Sequence, residues 1–256
     1  MKTVVVIPAR LESTRLPRKI LATINGHPLL WYVWSNVMRA QKLDAVYVAS
    51  DSEEILNAVR SWGGHGLLTS KNCRSGTERI ASLLGNIEAE LWINVQGDEP
   101  FVSPFMIDAL IEKCQAGNSD LVTPVFRVNQ NEDLWSPNVV KVVRALDGRA
   151  LYFSRQPLPY LRDIPTEDWL ATHSFWGHIG VYAYRQNVLA RYAQLPDSPL
   201  EAAEKLEQLR FLEAGYVFQT IETDYHPVSV DTPEDLERVR QMMAEGGSNG
   251  NDNFAG

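Results

Sequence analysis

Residues 3–19 read TVVVIPARLESTRLPRK, an apolar run that passes at once into a loop holding Arg10, Arg15, Arg18 and Lys19, with Ser13 and Thr14 among them. Val4, Val5, Val6 and Ile7 offer no polar face, the pattern of a central parallel strand covered by helices on both sides. A loop leaving such a strand lies at the carboxyl edge of the sheet, where open α/β folds bind their ligands. Four cations in one loop suit a triphosphate. Guanidinium groups fork onto phosphate oxygens, a lysine neutralises developing charge, and amides with hydroxyls complete the cradle. A basic loop that is merely solvated is the plain alternative. The segment has neither the GxxxxGK[ST] of a Walker loop nor the GxGxxG that opens a dinucleotide site.

Outward from this strand, short apolar runs rich in β-branched residues alternate with segments of helical period. The reading is strand 3–7, helix 28–41, strand 45–49, helix 52–62, and the pattern again from strand 91–95. It predicts an α/β fold with a mostly parallel central sheet. Pro28 fits a first helical turn, and Trp31 and Trp34 in the all-round apolar LLWYVW that follows are assigned to the core. Between 155 and 178 the sequence RQPLPYLRDIPTEDWLATHSFWGH breaks the alternation and predicts an inserted arm that closes over a site or meets a second copy. Beyond it come a helix over 200–214, a strand over 217–222 and a last helix from Pro233. One domain is expected over 1–245, and the tail 246–256 is expected to be disordered.

A length of 256 residues, 45% of them hydrophobic and 22% charged, is that of an ordinary globular chain. A net charge of -8 argues against general binding to nucleic acid or to an anionic membrane, so an anionic ligand must meet a local basic patch. Cys73 and Cys114 form no CxxC or Cys/His cluster, and both are expected to be core or near-core thiols. The apolar run at the N-terminus is too short for a signal peptide, and no later stretch has the length of a membrane span. The expected location is the cytoplasm.

Three further motifs carry carboxylates. In NVQGDEP, Asp98 and Glu99 follow strand 91–95 at the same sheet edge as the basic loop. A carboxylate there is a suitable ligand for phosphate-bound magnesium, and a turn acid in a Gly-Asp pair is the bland reading. In SVDTPEDL, Thr232 has the place of a helix cap, Pro233 of the first helical residue and Asp235 of the acid that answers the cap. That leaves Asp231 spare, either as a second metal ligand or as a plain acid at a helix start. In SGTER, Ser75 and Glu78 fit a capping box, while Gly76 would let a base or ribose approach the backbone.

Taken together these segments resemble the 3-deoxy-manno-octulosonate (Kdo) cytidylyltransferases. PARLESTRLPRK, SGTER, NVQGDEP, ALYFSR, HIGVYAY, LEQLR and VDTPEDL occur in that family's order and approximate spacing, through nearly the whole chain. The resemblance implies a Rossmann-like three-layer α/β/α nucleotidyltransferase fold and transfer of CMP from CTP to the anomeric hydroxyl of Kdo. It implies that Arg10, Arg15 and Lys19 hold the triphosphate, Ser75 and Gln96 belong to the substrate site, and Asp98 and Asp231 bind Mg2+. For the sugar acid it points to Arg155, His178, Tyr182, Glu207 and Gln208. Without it, His178 reads as a structural histidine and Glu207 as a solvated helix face. A homodimer is implied as well.

Two positions depart from the family pattern. Arg18 stands where glycine is usual before the lysine, a restriction if the backbone there has positive φ. Gly177 stands where a basic residue is common. Rival readings are a cytidylyltransferase for another acidic sugar, such as a sialic acid or 8-amino-Kdo, and a nucleotide-binding module without turnover. The intact Asp98 and Asp231 speak against the second.

Overall fold

The computed structural model describes residues 1–117 and 119–248, with side chains described as far as 245. Ten strands form one sheet: β1 (Thr3–Ala9), β2 (Ala45–Ser50), β3 (His65–Leu68), β4 (Leu91–Asn94), β5 (Leu121–Arg127), β6 (Lys141–Arg144), β7 (Ala150–Ser154), β8 (Trp176–His178), β9 (Tyr182–Arg185) and β10 (Phe218–Glu222). Their order is β3-β2-β1-β4-β9-β5-β8-β6-β7, with β10 also on β5. The run β3-β2-β1-β4 is parallel throughout, as the alternating pattern requires, and β10 is parallel to β5. Strands β8 and β9 join these parts by running antiparallel to β5.

Side chains of β1 divide between the two faces of the sheet. Val5 and Ile7 enter one buried cluster with Leu30, Ile55 and Ile107, which come from α1 (Leu29–Val37), α2 (Glu53–Ser61) and α4 (Pro104–Ala116). Val4 and Val6 enter the other with Ile80 of α3 (Gly76–Ala81) and Phe211 of the helix Gln208–Glu213. Helices therefore cover both faces, giving three layers. Trp31 and Trp34 are half-buried and pack against core clusters, Cys114 is buried, and Cys73 is intermediate.

The segment predicted as one helix over 200–214 is two, α5 (Pro199–Glu204) and α6 (Gln208–Glu213). Lys205 takes the left-handed conformation, φ 55°, and ends α5. The guanidinium of Arg155 donates to the carbonyls of Glu204 and Lys205, satisfying helix-end acceptors that have no intrahelical partner. The arm over 155–178 is not wholly irregular. Trp169 and Phe175 are buried in the first cluster, and its last residues are β8, inside the sheet. Between β8 and β9 the antiparallel ladder on β5 breaks at Ile179–Val181. The break is filled by the Thr123 hydroxyl, which lies 2.8 Å from the Val181 carbonyl and 3.2 Å from that of Ile179. Irregularities of this kind re-aim side chains beside functional sites. The last helix, α7, is Pro233–Ser248, so the first three residues of the expected disordered tail continue it. Propagation adds one hydrogen bond per residue fixed, which outweighs the weak helix preference of the glycines. Residues 249–256 lie outside the described residues.

Candidate active site

Every residue singled out from the sequence as a site residue, Lys19 excepted, lines one cleft of about 1250 Å³ at the carboxyl edge of β1 and β4. Lys19 is buried and meets two of the residues that do. The Lys19 ammonium donates to Asp98 Oδ2 at 2.7 Å and to Asp231 Oδ1 at 2.8 Å, and Arg15 pairs with Asp231 Oδ2 at 2.9 Å. Burial opposes the charge of Lys19, but the two carboxylates outweigh it and hold its pKa above the usual lysine value. Burial likewise opposes the charge of Asp231, and Lys19 and Arg15 more than offset this, lowering its pKa.

Local chemistry explains why Asp231 is available. Thr232 and Asp235 form the reciprocal cap expected of them: the Asp235 amide donates to Thr232 Oγ1 at 3.2 Å and the Thr232 amide to Asp235 Oδ2 at 3.0 Å. The cap is thus complete without Asp231. The Val230 amide donates to the Asp98 carbonyl at 3.0 Å, tying the segment before α7 to the turn after β4. Glu99, not assigned a role from sequence, strengthens that tie. Its buried carboxylate accepts from the hydroxyls of Tyr225, at 3.2 Å, and Ser229. Burial and the charge of Asp98 raise its pKa to about 7 against the pull of those hydroxyls.

Ser75 caps α3 by accepting from the Glu78 amide at 3.1 Å, while Glu78 reaches back to the amide of Arg74, one residue before the expected partner. Space beside Gly76 is already taken: a Cβ there would stand 3.2 Å from Pro8 and 3.4 Å from the Gln96 amide. The glycine lets α3 close onto the start of the basic loop. Ser75 Oγ also lies 3.1 Å from the Tyr192 hydroxyl.

In the other half of the cleft His178, Tyr182 and Gln208 are buried. His178 Nε2 lies 2.9 Å from Thr123 Oγ1. The only hydroxyl proton of Thr123 is directed at the Ile179 and Val181 carbonyls, so Nε2 must be the donor and Nδ1 the acceptor in that ring. Burial holds the His178 pKa down at about 3, which keeps the ring neutral. Tyr182 donates to Gln208 Oε1 at 3.1 Å. Glu207 Oε2 and Gln208 Nε2 are buried without a hydrogen-bond partner among the described residues. Burial raises the Glu207 pKa against the opposing pull of Ser75 and Thr77. Buried orphans of this kind are uncommon in native proteins.

Arg155 is placed differently from a simple anion ligand. Its Nε, Nη1 and Nη2 donate to the carbonyls of Glu204 at 2.7 Å, Pro137 at 2.7 Å and Lys205 at 3.4 Å. Two of its five N–H groups are left over. At the first departure from the family pattern, Arg18 has φ 57° and pairs with Glu54. At the second, a Cβ on Gly177 would lie 2.3 Å from the Phe126 ring, which fills the space a longer side chain would need.

A twisted α/β sheet with a lysine-bridged carboxylate pair facing a cluster of arginines defines a nucleotidyltransferase. The cytidylyltransferase family model matches residues 4–223. Curated relatives include the 3-deoxy-manno-octulosonate cytidylyltransferases of Chlorobium limicola, 43% identical over 95% of this chain and 98% of theirs, and of Myxococcus xanthus, 44% identical over 96% and 98%. A solved CMP:2-keto-3-deoxy-manno-octonic acid synthetase complexed with CTP superposes with a TM-score of 0.90, at 38% identity over 96% of this chain and 100% of that one. The chain belongs to the 3-deoxy-manno-octulosonate cytidylyltransferase family.

Proposed function

We propose that this protein transfers CMP from CTP to the anomeric hydroxyl of Kdo, releasing pyrophosphate and supplying the activated sugar for lipopolysaccharide or a related Kdo-containing polysaccharide. The observation that carries this reading is the two-part cleft. A lysine–aspartate–arginine centre fit for a triphosphate shares the cleft with a polar set fit for sugar hydroxyls. Arg10 and Arg15 bind phosphate oxygens through their guanidinium forks, and Lys19 adds a compact charge beside them. Ser75 and Gln96 flank the nucleoside. On the opposite wall, His178, Tyr182, Glu207 and Gln208 offer polar side chains to sugar hydroxyls. The charge of Arg155, with its two remaining N–H groups, attracts the sugar carboxylate.

The donor set also fits a magnesium ion. Asp98 and Asp231 converge on a single Nζ, and Asp98 Oδ1 has no other partner among the described residues. Magnesium commonly takes one or two protein carboxylates and completes its shell with phosphate and water. Bound there, it supplies charge neutralisation on the triphosphate and on the departing pyrophosphate. The side chains around it orient the α-phosphorus toward the hydroxyl-binding wall, so that the new sugar O–P bond forms as the bond to pyrophosphate breaks.

No helix among the described residues is long and apolar enough to cross a membrane, and a cytoplasmic place fits CTP as substrate. We infer a homodimer from the exposed aromatic side chains of Trp135 and Tyr160, the latter 74% accessible, which flank Trp169 of the arm. A mass measurement in solution tests it, and a monomer at working concentration refutes it. The test of function is pyrophosphate release with CTP, magnesium and a panel of sugar acids. Turnover with Kdo is expected, and turnover only with a sialic acid or with 8-amino-Kdo would overturn the assignment.

A further inference from the structure

Lys141 is wholly buried at the start of β6, in the middle of the sequence VVKVV. A buried ammonium is costly unless its hydrogens are satisfied, and a strand interior of this kind is ordinarily filled by valine or leucine. Among the described residues Lys141 has no carboxylate in ion-pair contact. Its ammonium donates to the carbonyls of Ser136, at 2.7 Å, and Val139. Arg155 takes the carbonyl between them, that of Pro137. Two cations thus hold three carbonyls of the segment 136–139.

That segment forms a wall of the site. Ser136, Asn138, Val139 and Val140 line the cleft with His178 and Arg155. Lys141 pairs across the sheet with Gly177, and the next residue, His178, donates its amide to the Val140 carbonyl at 2.8 Å. Arg155 carries the tie to the opposite wall. Its side chain donates to the Glu204 carbonyl and its amide to the Glu204 carboxylate at 3.0 Å, just before the turn that presents Glu207 and Gln208. Nothing in this grip touches Arg10, Arg15, Lys19 or the two aspartates.

We propose that Lys141 is a positioning residue for the sugar-acid half of the cleft. Its buried ammonium, together with Arg155, fixes the wall 136–140 against His178 and so sets the KM for the sugar acid without contacting it. This rests on the proposed reaction. Burial and the neighbouring Arg155 lower the Lys141 pKa to about 8, against the pull of Asp133 and Glu204, so the grip weakens in mildly alkaline solution.

The experiment measures initial rates with CTP, magnesium and Kdo, each substrate varied in turn, for wild type, Lys141→Met and Lys141→Arg. Loss of a buried charge-assisted hydrogen-bond donor predicts a KM for Kdo raised about tenfold in Lys141→Met, with the KM for CTP within about twofold of wild type. Lys141→Arg recovers part of the loss. In wild type the KM for Kdo climbs as pH rises through the lysine pKa, while in Lys141→Met it is high and does not follow pH. A wild-type KM for Kdo in Lys141→Met overturns the proposal, and so does an equal rise for both substrates. If Lys141→Met fails to fold, the wild-type pH profile and Lys141→Arg decide, and a Kdo KM indifferent to pH overturns it. Absence of wild-type turnover with Kdo overturns the functional reading instead, so the two failures are distinct.

Discussion

The two halves of the cleft are built on opposite electrostatic principles. On the nucleotide side the charges are kept and partnered: Lys19 joins Asp98 to Asp231, and Arg15 completes the row. On the side proposed for the sugar, uncharged groups predominate beside Arg155 and Glu207: His178 is held neutral by burial, and Tyr182 and Gln208 are buried and hydrogen-bonded to each other. The contrast follows from the ligands. A triphosphate must be neutralised, whereas a sugar is distinguished by directed hydrogen bonds, which discriminate best when unmade bonds are costly.

The largest expected effect breaks the charged half alone. Asp98→Asn removes one carboxylate of the pair, and turnover should fall by more than about a hundredfold, the scale of losing a preorganised electrostatic group. Its thermal unfolding should stay close to wild type, and near-normal kcat in that variant would refute the assigned metal site. The neutral half is probed by acid. Burial holds the His178 pKa at about 3, against an ordinary value of 6.5. Between those values the unfolded chain binds a proton that the native chain does not, so stability falls as pH drops below the upper one. Near pH 5 this amounts to roughly 2 kcal/mol. Urea unfolding at neutral pH and near pH 5 should show a smaller difference in His178→Gln than in wild type.

A milder perturbation separates the halves kinetically. Tyr182→Phe deletes the hydroxyl that orients Gln208 and should raise the KM for the sugar acid by about fivefold to tenfold, leaving that for CTP unchanged. Equal changes in both constants would show that the halves are not independent. Smallest is Arg18→Gly. Glycine would relieve a left-handed conformation worth about 1 kcal/mol, while the exposed ion pair with Glu54 contributes about 0–1 kcal/mol. The two nearly cancel, and calorimetry should find Tm within a few degrees of wild type.

The same contrast governs what could be read from the sequence. Arg10, Arg15, Lys19, Asp98 and Asp231 are charged residues at strand ends and a helix start, and their chemistry announces itself. Asp231 could be isolated because Thr232, Pro233 and Asp235 accounted for the cap. The sugar wall had no such signal: His178 and Tyr182 sit among apolar neighbours and look like core, and only the family resemblance pointed to them. Lys141 is visible only as an anomaly, a lone lysine inside VVKVV, with nothing beside it in sequence to give it a role. Thr123, Tyr225 and Ser229 act through contacts distant in sequence, which no local pattern reveals. The split of 200–214 into two helices was hidden because it depends on the left-handed Lys205 and on a carbonyl cap from Arg155, 49 residues away. In the parallel half, by contrast, each strand carries its own apolar signature.

Lys19 meets Asp98 across 79 residues and Asp231 across 212. During synthesis the basic loop and the first carboxylate emerge long before the second, and closing a loop of that length requires most of the intervening sheet. Assembly of the centre therefore waits on the segment that carries Asp231. A chain stopped short of Asp231 would hold the arginines and Asp98 yet lack the second carboxylate that Lys19 and Arg15 grip.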